Sequence, residues 1–175
     1  MKKKLIFVSS ILFTLFIFFS LYIGLEKENT YKPKNIINSQ IINFKGIDLF
    51  SDKTLGLDNI SKDKKFILIN IWASWCSPCR LEHKYFLQLK KNEEIAMIGL
   101  NYKDKIENAK KFISEMGNPY DFVIRDSSGA ISIELGAYGI PETYILDRET
   151  KKIIYKYIGP IDNEIKNKIE IITKS

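Results

Sequence analysis

The sequence predicts an α/β domain, with a mixed sheet flanked by helices, preceded by one membrane-spanning helix. Residues 5–25 are uncharged and mostly Leu, Ile and Phe, whereas after residue 40 short β-branched runs alternate with segments of helical periodicity. At 175 residues the chain has room for one domain of ordinary size beside that helix. We therefore predict a basic cytoplasmic N-terminus (1–4), a membrane anchor (5–25), a tether (26–39) and a single domain (40–175).

The apolar segment indicates an anchor that is retained. A bilayer core needs about 20 apolar residues of helix, and the 21 uncharged residues 5–25 meet that length. A cleaved signal peptide has a shorter apolar region and a small-residue cleavage site, which residues 22–26 lack. By the positive-inside rule the lysines at positions 2–4 stay in the cytoplasm. The domain is then expected outside it, in a compartment that permits disulfides.

The net charge of +6 at pH 7 does not indicate a nucleic-acid partner. Of the 27 basic residues only Arg80, Arg125 and Arg148 are arginine, and the lysines are scattered among acids. Interspersed charge of this kind is a solvated surface and lacks the basic stripe that contacts phosphates. We exclude nucleic acid as a partner, and because nothing in the sequence requires an oligomer we expect a monomer.

The first half of the domain predicts three strands and a helix. Two short strands are expected at 41–44 and 48–50, with a break between them. Phe66–Trp72 is a continuous apolar, β-branched run, which is typical of a strand buried on both faces. Beyond Pro78 the apolar period becomes helical, and this helix is expected to end near Lys91.

The second half continues the alternation of strands and helices. In order, we predict a strand at 95–101, a helix at Ile106–Met116 that stops at Gly117, a strand at 122–125, a turn at 126–129 with a short helix to Leu135, strands at 143–146 and 153–157, and a last helix capped by Asp162. Such alternation predicts an α/β sandwich around a mixed sheet.

The two cysteines, Cys76 and Cys79, lie directly after the buried strand and at the start of a predicted helix. Unpaired N–H groups at a helix N-terminus stabilise the thiolate, which is the reactive form of cysteine. We therefore expect Cys76 to be an exposed, acidified nucleophile and Cys79, one turn inward, to be the buried resolving thiol. Pro78 suits the first helical turn, and Trp75 would shield one side of the pair.

Other uses of this C-x-x-C pair are less consistent with the sequence. Structural zinc needs four ligands, and Cys76, Cys79 and His83 supply at most three. Covalent haem attachment needs C-x-x-C-H, but Arg80 follows the second cysteine. An inert disulfide remains an alternative, although one that closes so short a loop would stabilise little. Redox exchange is the use that we predict, and it needs no cofactor and no metal.

A proline far along the chain supports this prediction. Pro141 directly precedes an apolar strand, where proline is unusual unless it makes a turn or a cis bond. An ordinary proline that leads a strand is the alternative interpretation.

Four blocks of sequence resemble a known family. They are W-A-S-W-C-S-P-C-R-L-E-H at 72–83, G-L-N-Y-K-D at 99–104, G-N-P-Y at 117–120 and Y-G-I-P-E-T-Y-I-L-D at 138–147. On these blocks the chain resembles the membrane-anchored thiol:disulfide interchange proteins of cytochrome c maturation, the DsbE/CcmG type. The resemblance extends over the whole domain and the anchor. It implies a thioredoxin-like fold, with the central insertion of this branch between the C-x-x-C pair and Pro141.

The resemblance also implies roles for residues around the pair. Pro141 would be a cis-proline that lies against the redox-active Cys76–Cys79 disulfide and leaves adjacent backbone free to pair with substrate. Glu82 and Glu142 occupy positions where the family has an acidic groove, and either could relay the proton of Cys79. The alternative for Glu82 is a solvated helix residue. The single histidine is expected on the surface or in the groove wall.

The implied function is a reductase on the inner (cytoplasmic) membrane with its domain in the periplasm. It would keep the apocytochrome c C-x-x-C-H site, or the dithiol of a maturation partner, reduced, and would draw electrons from a membrane thiol-disulfide donor. A general periplasmic thiol exchanger or an oxidant with the same fold is the main alternative. A protein that delivers Cu(I) through Cys76 and Cys79 is another.

Overall fold

The computed structural model describes residues 2–26, 36–41, 43–59 and 63–174. Helix α1, Lys2–Glu26, belongs to a unit of its own, separate from the unit formed by Lys34–Ser175. Its segment Lys2–Ile23 is long and apolar enough to cross a membrane, which makes it a candidate span by length and composition. Residues 27–35, most of the predicted tether, lie outside the described part of the chain.

The second unit contains the elements of the predicted domain. Within the described residues its strands are β1 (Lys45–Asp48), β2 (Thr54–Gly56), β3 (Phe66–Trp72), β4 (Ile95–Tyr102), β5 (Phe122–Asp126), β6 (Glu142–Asp147) and β7 (Ile153–Ile158). Its helices are α2 (Ser77–Leu89), α3 (Ile106–Met116), α4 (Ala130–Glu134) and α5 (Asn163–Ile172), and a 3₁₀ turn covers Leu57–Asn59.

The strands form one mixed sheet in the order β2-β1-β5-β4-β3-β6-β7. The central strands β3, β4 and β5 are parallel, and the remaining pairs are antiparallel. Side chains of α2, α3 and α5 share one buried cluster with Leu68 and Trp72 of β3, whereas Ile67, Ile69 and Ile71 belong to a second cluster. Because successive strand residues point to opposite faces, these three helices cover one face of the sheet. The predicted mixed sheet flanked by helices is therefore confirmed.

Most predicted elements match the structure to within two residues at each end. The central strand Phe66–Trp72 is buried along its whole length, as a continuous apolar run predicts for a strand between two layers. Helix α3 has the predicted bounds and ends at Gly117. Asp162 caps α5 by accepting a hydrogen bond from the backbone N–H of Ile165 at 2.9 Å.

The predicted strands at 41–44 and 48–50 are wrong. Strand β1 instead occupies Lys45–Asp48, across the expected break, and β2 was not predicted at all. A Cβ atom at Gly46 would clash with the Cγ2 atom of Ile124, so glycine is needed here for close packing of the sheet. The apolar residues Ile41, Phe44 and Leu49, which suggested strands, are buried in the core from outside any strand.

Candidate redox site

The sheet register brings the C-x-x-C pair and Pro141 to one end of the sheet. Strand β3 ends at Trp72 and continues through a short loop into α2, which begins directly after Cys76. Strand β6 begins at Glu142, which is paired with Ile71 of β3. Pro141 therefore lies beside the end of β3 from which the cysteine loop departs. The Ile140–Pro141 peptide bond is cis, as expected.

Cys76 and Cys79 form a disulfide with an S–S distance of 1.97 Å. Cys76 is the N-cap of α2, and its Sγ accepts a hydrogen bond from the backbone N–H of Cys79 at 3.2 Å. This places the sulfur where unpaired helix N–H groups favour negative charge once the disulfide is reduced.

The predicted exposure of Cys76 is wrong for this oxidised state. Its side chain is 4% exposed, almost as little as the 2% of Cys79. The physical reason is that both sulfurs are joined to each other and packed in the core cluster beside Ala73. The two cysteines therefore differ in position on the helix, with Cys76 at the cap and Cys79 in the first turn, rather than in accessible area.

The loop before Cys76 is braced by residues that follow β4. Asp104 accepts hydrogen bonds through its carboxylate from Ser74, with Oδ1 2.8 Å from the Ser74 hydroxyl, and from the Asn101 side-chain amide at 3.1 Å. The Trp75 indole N–H donates to the backbone oxygen of Lys103 at 3.1 Å. Trp75 remains 58% exposed beside the disulfide, so its ring offers an apolar surface to a docking partner.

Glu82 lies beneath the pair, one turn after Cys79 on the buried face of α2. It is 1% exposed, which excludes the alternative of a solvated helix residue. Its two oxygens accept hydrogen bonds from the Asn70 side-chain amide at 3.1 Å and from the backbone N–H of Ile161 at 2.8 Å. Both donors are neutral, and burial raises the pKa of Glu82 to about 8 because these bonds offset only part of the cost of desolvating the charge.

The contacts of Glu82 continue into an aromatic group. The Tyr120 hydroxyl donates to the Asn70 side-chain oxygen at 2.7 Å, which orients the Asn70 amide toward Glu82. Burial, and secondarily the Glu82 carboxyl, raise the pKa of Tyr120 well above its ordinary value. Tyr120 therefore stays a neutral donor, whereas Glu82, with its pKa raised to about 8, can gain or lose a proton near neutral pH.

His83 is buried, which corrects the expectation that it lies on the surface or in a groove wall. Its ring packs edge-on against Phe112, and its Nε2 lies 2.9 Å from the backbone oxygen of Gly117. Burial is the main cause that lowers its pKa, which favours the neutral ring. The ring of His83 is bonded to the C-terminal end of α3, and both cysteines are already paired in a disulfide. His83 therefore contributes to the packing of α2 on α3.

Glu142 is also buried, but it is held by an ion pair. Its Oε2 lies 3.0 Å from Nζ of Lys156 and accepts a hydrogen bond from the Tyr144 hydroxyl at 2.6 Å. Its Oε1 accepts hydrogen bonds from the backbone N–H groups of Tyr138 and Gly139. Donors therefore occupy both oxygens of Glu142 and tie it to the loop before Pro141, which favours a positioning role over the predicted proton relay.

The two carboxylates lie on opposite faces of the sheet. Glu142 is paired with Ile71, which belongs to the cluster on the face away from α2. Directly paired residues of antiparallel strands project to the same face. Glu82, in contrast, projects from α2 and contacts Asn70 of β3. Of the two acids predicted to line a groove near the cysteines, Glu82 therefore lies on the face that α2 covers and Glu142 on the other.

The structure gives contacts at the site to three residues to which the sequence interpretation assigned no chemistry. They are Asn70, Asp104 and Lys156. A polar Asn inside the apolar run of β3 and a Lys between two tyrosines of β7 are the sequence features that could have indicated two of them, since buried polar groups need partners.

A sheet flanked by helices, with a C-x-x-C disulfide at a helix N-terminus and a cis-proline at the same end, defines the class of thioredoxin-like thiol:disulfide oxidoreductases. The Redoxin family matches residues 46–170 of the chain. The chain belongs to this family and, within it, to the DsbE-type thiol:disulfide interchange proteins.

Two relatives and one solved structure illustrate the similarity. DsbE of Pasteurella multocida is 38% identical over 118 residues, which are 67% of this chain and 64% of that protein. DsbE of Pseudomonas fluorescens biotype C is 37% identical over 166 residues, which are 94% of this chain and 90% of that protein. The thioredoxin domain of a thiol-disulfide oxidoreductase from Bacteroides vulgatus shares the fold, with a TM-score of 0.66 at 22% identity over 78% of this chain and 97% of that domain.

Proposed function

We propose that this chain is a membrane-anchored periplasmic thiol:disulfide oxidoreductase that reduces disulfides during cytochrome c maturation. Its target would be the C-x-x-C-H site of an apocytochrome c or the dithiol of a maturation partner. The observation that carries the exchange chemistry is the C-x-x-C pair at the N-terminus of α2 above the buried carboxyl of Glu82. The cytochrome c target is supported by the four resembling blocks and by the DsbE relatives.

The first step of the proposed reaction belongs to Cys76. In the reduced protein its thiolate, at the cap of α2, attacks one sulfur of the target disulfide. A mixed disulfide forms between Cys76 and the target, and the second target sulfur leaves as a thiolate. The backbone beside cis-Pro141 would hold the target during this attack.

The second step belongs to Cys79 and Glu82. Cys79 transfers its proton to the Glu82 carboxylate and attacks the Sγ atom of Cys76, which releases the first target sulfur as a thiolate. Two electrons have then passed from the protein to the target, and the protein carries a Cys76–Cys79 disulfide. A protonated Glu82 in this oxidised state agrees with a pKa raised to about 8. A membrane thiol donor would return the two electrons.

A trapping experiment tests the proposed target. The full-length Cys79→Ala variant, expressed in its own membranes, should form mixed disulfides through Cys76 that it cannot resolve. We expect mass spectrometry of these adducts to identify a small set of C-x-x-C-H apocytochromes or their maturation partners. Cys76→Ala is the matched control, because it keeps one thiol but lacks the nucleophile, and it should form no adducts.

Other outcomes would favour the alternative functions. A broad set of unrelated exported proteins among the adducts would mean a general thiol exchanger. A reduction potential close to that of DsbA, about −120 mV, would mean an oxidant. Stoichiometric Cu(I) binding by reduced Cys76 and Cys79 without exchange activity would mean copper delivery.

A further inference from the structure

We propose that Lys156 is a positioning residue for the loop that carries Pro141, and that it sets the rate of reaction with peptide and protein disulfides but not with small ones. The inference rests on the proposed function, because it assumes that the target lies along this loop while Cys76 attacks. Nothing in the chemistry of the sulfurs requires Lys156, so its effect must pass through the loop.

Lys156 anchors the start of the loop. It lies on the edge strand β7, and its side chain is 8% exposed. Its Nζ donates a hydrogen bond to the backbone oxygen of Gly136 at 2.8 Å and lies 3.0 Å from Oε2 of Glu142. The same atom lies 5.1 Å from the centroid of the Tyr144 ring, so an aromatic face covers the charge.

Glu142 extends this anchor to the end of the loop. Its Oε1 accepts hydrogen bonds from the backbone N–H groups of Tyr138 and Gly139, the latter at 3.0 Å. One buried ion pair therefore holds three points of the backbone between Gly136 and Gly139, directly before the cis bond at Pro141.

The outer side of the loop is exposed at Tyr138 and Gly139, and a Cβ atom added at Gly139 would meet no other atom within 4 Å. Lys156 and Glu142 hold the loop from below, in addition to backbone hydrogen bonds from Gly136 to Ile133 and from Ala137 to Ser132, each at 2.9 Å. The open space above Gly139 is where a peptide target could approach the backbone beside Pro141.

Loss of the Lys156 charge should loosen the loop because it leaves Glu142 as a buried carboxyl without a cation. An uncompensated buried carboxylate takes up a proton, and the protonated oxygen then accepts hydrogen bonds less well. The loop would sample several backbone arrangements. A peptide that must align with the loop is sensitive to this change, whereas a small disulfide that only has to reach the sulfur of Cys76 is not.

Two probes of different size test the inference on the reduced full-length chain in detergent. One is a synthetic peptide with an intramolecular disulfide in a C-x-x-C-H sequence, and the other is the aromatic disulfide DTNB. In Lys156→Met we expect the rate constant for the peptide to fall by about tenfold or more, mainly through a higher KM, and that for DTNB to stay within about twofold. Lys156→Arg, which keeps the charge, should restore most of the peptide rate.

Lys166 provides a matched control. Its Nζ lies 3.1 Å from Oε1 of Glu170 on α5, and its side chain is 13% exposed, so Lys166→Met makes the same chemical change at a lysine of similar burial, in an ion pair whose acid is 31% exposed. This variant should reduce both probes at the wild-type rates. If Lys156→Met does not fold, the double variant Lys156→Met/Glu142→Gln removes both charges. It must then show the same result, a lower rate constant for the peptide and an unchanged one for DTNB.

Two results overturn the inference: an unchanged peptide rate in a folded Lys156→Met, or an equal loss of both rates. Insulin as a further protein target separates this inference from the proposed function. If the wild-type chain reduces insulin as readily as the C-x-x-C-H peptide, the cytochrome c assignment is contradicted. Lys156→Met must then still slow the reduction of insulin relative to that of DTNB.

Discussion

Glu82 and Glu142 are two glutamates at one end of the same sheet, and both are buried, yet their surroundings are opposite. Glu142 lies 3.0 Å from the ammonium group of Lys156, whereas the hydrogen bonds of Glu82 come from two neutral groups, an amide side chain and a backbone N–H. Burial disfavours the charged form of Glu82 and raises its pKa to about 8. A buried carboxyl thus becomes a proton acceptor near neutral pH where no cation offsets its burial.

The two faces of the sheet divide the work between these residues. On the face covered by α2, Glu82 lies one helical turn from Cys79, where a proton has to be removed. On the other face, Glu142 and Lys156 hold the backbone of the loop that leads to Pro141. We infer that one acid serves proton transfer and the other serves the placement of the target. Variants of Glu82, Glu142 and Asp104 test whether the two acids have these different roles.

The largest expected effect is on proton transfer in Glu82→Gln. Because the amide cannot accept the proton of Cys79, release of a preformed mixed disulfide between Cys76 and a peptide should slow by about a hundredfold at pH 7. Stopped-flow measurement of the released thiol follows this step. Glu142→Gln is the comparison variant and should leave this step within about threefold of wild type. Equal slowing in the two variants would remove the distinction between the two acids.

The next effect is on stability, where the two substitutions should have opposite signs. Glu142→Gln leaves Lys156 buried without its partner and should lower the free energy of unfolding by about 3 kcal/mol. Glu82→Gln removes a carboxyl whose charge is disfavoured by burial, so at pH 9 it should raise the free energy of unfolding of the oxidised protein by about 2 kcal/mol. Urea denaturation of both variants measures the two changes. Destabilisation of similar size in both would contradict the account.

The pH dependence of the free energy of unfolding should also distinguish Glu82 from Glu142. The pKa of Glu82 rises from an ordinary 4.5 to about 8 in the folded protein, so the folded state binds the proton more tightly than the unfolded state. Its contribution to stability is therefore complete below pH 4.5 and is lost as the pH rises through 8. Urea midpoints of the oxidised protein should fall over this range. The part of the fall due to Glu82 should vanish in Glu82→Gln and persist in Glu142→Gln.

The smallest expected effect concerns the brace in front of the cysteines. Asp104→Asn replaces a charged acceptor of the Ser74 hydrogen bonds with a neutral one and should cost about 1 kcal/mol. The loop would become looser near Trp75, which should shift the fluorescence of its exposed ring. This substitution changes neither Glu82 nor Glu142. The pH dependence of the rate at which the mixed disulfide is released should therefore match that of wild type. A changed pH dependence would mean that Asp104, too, takes part in proton transfer.

Much of the fold could be predicted from the sequence because its central elements are set by local pattern. Strand β3 is a continuous apolar run, and α3 has an apolar face that stops at a glycine with φ of 86°. Strand β1 could not be predicted, because Gly46 is placed by its close approach to Ile124 on a strand distant in sequence. Local pattern therefore identifies the buried centre of the sheet better than its edge.

The candidate site divides in the same way. The positions of the C-x-x-C pair and of Pro141 follow from local sequence, whereas the cis bond at Pro141 is implied by the family resemblance. The different roles of the two glutamates do not follow from local sequence, since Glu82 depends on the backbone of a residue 79 positions away and Glu142 on a lysine of the next strand. The charge and burial of a site residue are set by its tertiary neighbours. A single sequence does not show which distant residues become neighbours.

Infrared spectroscopy of the oxidised full-length chain between pH 5 and 10 would show directly whether Glu82 holds a proton at neutral pH. A protonated buried carboxyl has its own C=O stretching band, well separated from that of a carboxylate. We predict such a band at neutral pH that disappears with a midpoint close to the pKa of Glu82, about 8, is absent in Glu82→Gln and persists in Glu142→Gln. A band that survives in Glu82→Gln, or that is lost only in Glu142→Gln, would contradict the assignment of Glu82 as the proton acceptor.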